Sequence, residues 1–142
     1  MNKYEQLHNY IDDNEHIYCF SQEAVRGANV QKEGDDYAIF FNENSFATTT
    51  ERRVALAHEV AHCQTGTVYS INTPKILKAQ YERQAWKKTI KNLIPPEELT
   101  RVFETCVYAG TLDIYEAAEK LDVTVDLLEM AIKYYRDNGV RW

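Results

Sequence analysis

The segment Val54-Ala55-Leu56-Ala57-His58-Glu59-Val60-Ala61-His62 constrains the fold more than any other part of the chain. It lies in a strongly helical stretch, residues 53–63, and apart from two histidines and one glutamate its residues are small or apolar. Apolar residues on every side predict a buried helix, not one with a solvated face. Two imidazoles and a carboxylate in such a helix are costly unless hydrogen bonds or a metal compensate them. At 3.6 residues per turn, His58 and His62 lie one turn apart on one face and can reach a single ion. Zinc accepts neutral nitrogen ligands in a distorted tetrahedron, and Glu59 projects beside the pair, within reach of a bound water but not of the ion. His58 and His62 are therefore read as metal ligands and Glu59 as a catalytic base, in preference to three packing residues.

A catalytic zinc keeps one position open and takes three protein ligands, so a third is expected elsewhere. Thr65 and Val68 stand where the metzincin extension requires Gly and His, which excludes that class. His8 and His16 belong to the N-terminal segment and are read as surface or core residues. Glu82 is the preferred candidate. It lies on the next helical segment, which a short loop lets return against the first, and two histidines with one glutamate match the ligand set of thermolysin-like peptidases. Glu97, Glu98 and Glu104 stay as alternatives. Cys63 points about 100° away from His62 and is read as a small core residue. Tyr69, in the loop after the histidines, is the candidate donor to a developing oxyanion.

The chain changes character near Phe46. Before it, residues 2–13 read as a short helix with Tyr4, Leu7, His8 and Ile11 on one side. Residues 16–20, 25–30 and 37–41 read as strands, the last preceded by a turn at Gly34, Asp35 and Asp36. After it, a cap among Thr48, Thr49 and Thr50 opens a helix ending at Thr65, with Gly66 as its stop. Pro74 opens a helix reaching Leu93. Pro95 and Pro96 break it and start another, which ends before Gly110. Residues 112–121 and 125–137 form two shorter helices around Asp122 and Thr124. The expected fold class is α+β, mostly helical, with a small N-terminal sheet and a helical C-terminal tail. No linker or repeat interrupts the chain, so residues 1–142 are expected to form a single domain with parts 1–46, 47–94 and 95–142.

The 142 residues are 44% hydrophobic and 27% charged, which suits an ordinary globular chain. A net charge of -6 argues against broad binding to nucleic acid or anionic membranes. Arg52, Arg53, Lys87 and Lys88 are read as solvated helix faces. No apolar run approaches the roughly 18 residues that would span a bilayer. The polar first ten residues and three scattered cysteines, Cys19, Cys63 and Cys106, lead to a reduced, cytoplasmic protein as the expectation. The tail could form a helix-turn-helix. Its segment 113–137 carries seven acids against three bases, which disfavours contact with DNA phosphates, so packing is the preferred reading and protein recognition the next.

The run 55–62, then Gly66 and Tyr69, resembles the ImmA/IrrE family of metallo-endopeptidases. So do Tyr81-Glu82-Arg83-Gln84-Ala85 and Lys91-Asn92-Leu93-Ile94-Pro95. The resemblance extends from about residue 25 to the end and is most specific between 55 and 96. It implies a zincin-like domain in which Glu82, on a Glu-x-x-Ala helix, is the third zinc ligand. It further implies a zinc endopeptidase that relieves repression by cutting a helix-turn-helix repressor of a phage or mobile element. Trp86 stands where that family often has Asp or Asn, a polar residue able to support a ligand. Val60-Ala61 replaces a more usual Leu-Gly. The rival expectations are a non-catalytic module that binds a repressor around a structural metal, and a toxin–antitoxin component. The intact Glu59 favours the enzyme. Manganese, cobalt and nickel also suit His/Glu sites.

Overall fold

In the computed structural model, which describes residues 2–140, the first helix starts from a capping box. The Asn2 side chain accepts from the amides of Tyr4 and Glu5, and the Glu5 carboxylate accepts from the Asn2 amide at 3.1 Å. Helix α1 (Lys3–Asp13) buries Tyr4, Leu7 and Ile11, while His8 is exposed.

Three strands follow: β1 (Ile17–Ser21), β2 (Ala28–Glu33) and β3 (Asp36–Phe41). They form one mixed sheet in the order β1-β3-β2. β2 and β3 are an antiparallel hairpin, and Gly34 at φ +62° supplies the left-handed residue of its tight turn. β1 runs parallel to β3, with Ile17 opposite Tyr37. The strand expected over residues 25–30 is shifted towards the C-terminus. Gly27 takes φ +75° and donates its amide to Ser45 Oγ at 2.9 Å, so the chain bends before the strand begins.

Helix α2 (Thr49–Thr65) packs against α1, β2 and β3. Thr48 Oγ1 caps it by accepting from the Glu51 amide at 3.0 Å, and Gly66 at φ +66° ends it. Every residue from Leu56 to Cys63 is buried, as an apolar circumference requires. Helix α3 (Lys75–Leu93) follows Pro74. The chain falls into two compact units divided between Thr89 and Ile90, inside α3. Nothing in the composition marks that division, because the helix runs through it.

The second unit comprises the end of α3, helix α4 (Pro96–Thr105), a small hairpin of β4 (Val107–Tyr108) and β5 (Thr111–Leu112), and helices α5 (Ile114–Leu121) and α6 (Val125–Asp137). The hairpin has no counterpart in the sequence reading. Its turn places both Ala109 (φ 51°) and Gly110 (φ 80°) in the left-handed region, and an alanine there carries no turn signal. The junction between α5 and α6 lies where expected, with Asp122 left-handed and Thr124 Oγ1 capping α6.

Leu99, Leu127, Leu128 and Ala131 are fully enclosed in this unit. Tyr135 is buried beside them and donates its hydroxyl to the Ile94 carbonyl at 2.6 Å. That carbonyl follows the last turn of α3 and, with Pro95 next, has no continuing helix to pair with. Burial pushes the Tyr135 phenol up to about 12, so it stays a donor. Tyr135→Phe leaves the carbonyl unpaired and should cost the second unit about 1–3 kcal/mol, read as faster native-state hydrogen exchange in α4 and α6.

Candidate metal centre

The histidines of α2 arrive as a pair because they are one turn apart. Their ring centroids are 4.7 Å apart and the planes are at 73°. After Gly66 the chain turns back and brings Thr67 against His62. His62 Nδ1 lies 3.0 Å from both the carbonyl oxygen and Oγ1 of Thr67. A carbonyl can only accept, so Nδ1 carries a proton, and Nε2 faces α3, where it donates to a carboxylate when protonated and turns its lone pair to an ion when not. Glu82 Oε1 is 2.9 Å from His62 Nε2, and Oε2 is 3.1 Å from His58 Nε2. The Tyr69 hydroxyl donates to Oε1 at 2.8 Å.

One ligand atom from each of His58, His62 and Glu82 thus falls in a group spanning no more than 4.8 Å, and this group could hold a metal ion. The donors fit one. Both imidazoles present Nε2 inward, and the carboxylate faces both. Donation of the outer nitrogen to a backbone carbonyl, seen at His62, is the usual way a ligating imidazole is fixed.

The electrostatics follow from burial and the shared carboxylate. Hydrogen bonds from His58 and His62 hold the Glu82 carboxyl well below the usual range. The two imidazoles shift in opposite directions. For His58 burial dominates and lowers its pKa. For His62 burial also pulls down, but the bond to Glu82, the charges of Glu82 and Glu59, and the Thr67 bond together raise it. His58 has more protein around it and also feels the charge of His62, whereas only His62 is raised by Glu59 and Thr67. Glu59 is 9% exposed, and burial pushes its carboxyl up to about 7. Burial and the bond to Glu82 push Tyr69 up to about 12.

A cavity of about 170 Å³ opens between residues 28–30 of β2 and the side chains of Glu59, His62, Tyr69 and Glu82. β2 is an edge strand; among the described residues β3 is its only strand neighbour. The cavity therefore has His62 and Glu82 of the ligating group on one wall and residues 28–30 of an edge strand on another.

All five residues singled out in the sequence, His58, Glu59, His62, Tyr69 and Glu82, come together in the first unit. Cys63 is buried outside the ligating group, and desolvation pushes its thiol up to about 12. His8 and His16 are exposed, and Glu97, Glu98 and Glu104 on α4 are not in the group. Two further residues support the ligands, Thr67 from the loop after α2 and Trp86, whose place after Glu82 suits packing towards α2. Thr67 orients His62. Trp86 stacks on the His58 ring, with centroids 3.8 Å apart and planes at 20°. The signal for Trp86 is its spacing, one helical turn after Glu82.

No family model, curated protein or solved structure matches the chain. No helix among the described residues is long and apolar enough to cross a membrane.

Proposed function

We propose that the chain is a zinc-dependent endopeptidase of the ImmA/IrrE type, acting on a helix-turn-helix repressor of a phage or mobile element. One observation carries the reading: two imidazole nitrogens and a carboxylate converge on one point while a separate buried carboxyl, Glu59, lines the same cavity. A structural metal site closes its coordination with protein ligands; three ligands with an unused acid alongside suit a catalytic one. The two-histidine, one-glutamate set favours zinc. The ImmA/IrrE assignment and the repressor rest on the resemblance of residues 55–69 and 81–95.

Zinc at this position would supply a Lewis acid that acidifies water and polarises a carbonyl oxygen. The side chains supply the rest. His58, His62 and Glu82 would hold the ion, and Thr67 fixes the proton of His62 on Nδ1. Glu59 accepts the proton of the attacking water and returns it to the leaving amide nitrogen. The free edge of β2 offers backbone donors and acceptors to an extended peptide laid along the cavity. Tyr69 donates to Glu82 here, and the same hydroxyl, on the cavity wall, is our candidate donor to a developing oxyanion. Tyr69→Phe should lower the turnover of the zinc-saturated protein by ~100-fold, whatever the loss of its bond to Glu82 costs in zinc affinity. A fall in affinity at unchanged turnover would make Tyr69 a support for Glu82 instead.

The reading is tested with the zinc-loaded protein and a proteome-derived peptide library, new termini being identified by mass spectrometry. Cleavage at a preferred sequence, abolished by a chelator and restored by zinc, is expected. A protein that holds zinc yet cuts neither the library nor a repressor encoded beside it would be a binding module.

A further inference from the structure

Glu82 and Trp86 stand one turn apart on α3, as His58 and His62 do on α2. One face of α3 therefore delivers a carboxylate to both imidazoles and an indole to one of them. The two imidazoles are held differently. His62 bonds through both nitrogens, to Glu82 and to Thr67. His58 bonds through Nε2 to Glu82, but its Nδ1 is buried with no hydrogen-bond partner among the described residues. A ligating imidazole is ordinarily kept in its plane by a bond from the outer nitrogen. His58 lacks that bond, and rotation about its Cβ–Cγ axis would carry Nε2 away from the ligating group. The indole of Trp86 opposes this rotation, since it lies nearly parallel to the imidazole at stacking distance.

We propose that Trp86 is a positioning residue: by stacking on His58 it fixes the plane of that ligand and so sets the metal affinity of the site. The inference rests on the metal-site reading and is independent of peptidase activity. Tryptophan offers Nδ1 no acceptor, so orientation at His58 comes from ring contact and at His62 from hydrogen bonding. Phenylalanine can keep the stack; leucine keeps apolar bulk and loses the flat face.

The test is zinc affinity by chelator competition in wild type, Trp86→Phe and Trp86→Leu, with the melting temperature of each metal-free protein as control. Trp86→Leu should bind zinc about 10–100-fold more weakly, the range expected when the support of a ligand is lost. Trp86→Phe should keep most of the affinity at a comparable metal-free melting temperature. In a Trp142→Phe background Trp86 is the only tryptophan, and cobalt should quench its emission saturably. Wild-type affinity in Trp86→Leu, or equal losses in both variants, would overturn the stacking role while leaving the metal site standing. A wild type that binds neither zinc nor cobalt would overturn both.

Discussion

Glu59→Gln is expected to keep its zinc and to lose peptide cleavage by about 10²–10⁴-fold, the usual contribution of a positioned general base. The expectation follows from how Glu59 is placed. It is buried and lines the cavity, yet it belongs to a separate position from the ligating group of His58, His62 and Glu82. Glutamine preserves shape and polarity and removes only the capacity to take a proton. Because burial already pushes the carboxyl up to about 7, a neutral amide suits the position at least as well. The metal-free variant should therefore melt no lower than wild type, which separates lost chemistry from lost structure. Cleavage by the variant at the wild-type rate would remove Glu59 as the base.

Glu82→Ala should have the largest effect on metal-linked stability. An ion that binds only the folded state stabilises it by about 4 kcal/mol at a free concentration of 1,000 Kd. Wild type should gain an increment of that order on zinc addition, read by calorimetry with and without chelator, and the variant should lose most of it. The metal-free variant is also expected to be weaker, because the Glu82 carboxylate pairs with His58, His62 and Tyr69. Unpairing such groups costs about 1–3 kcal/mol. The diagnostic is the zinc increment, not the fall in basal stability. A variant that retains the full increment would place the third ligand elsewhere.

The helices and the ligating group were legible in the sequence for a common reason: both are set by short-range periodicity. Thr48 and Gly66 bound α2 as their cap chemistry dictates, and His58 and His62 pair because helical spacing leaves them no choice. Glu82 came from a distance argument across one short loop, which is why other acids stayed open as alternatives. What the sequence hid depends on contacts between elements. The parallel pairing of β1 with β3 has no local signal, since β2 intervenes in the chain. The β4–β5 turn uses an alanine at positive φ, a choice that local preference opposes. The spacing of Trp86 suits packing towards α2, but that its indole stacks on His58 in particular depends on the approach of the two helices. Thr67 was a loop residue until the backbone after Gly66 turned it onto His62.

The central claim is that this cluster is a resident metal site, and elemental mass spectrometry of the untagged protein, purified without added metal, tests it most directly. The account predicts about one zinc per chain that survives dialysis, or is taken up to that level when zinc is supplied. A protein that carries no metal and takes up none would contradict it, leaving His58, His62 and Glu82 as a hydrogen-bonded cluster and the chain as a binding module.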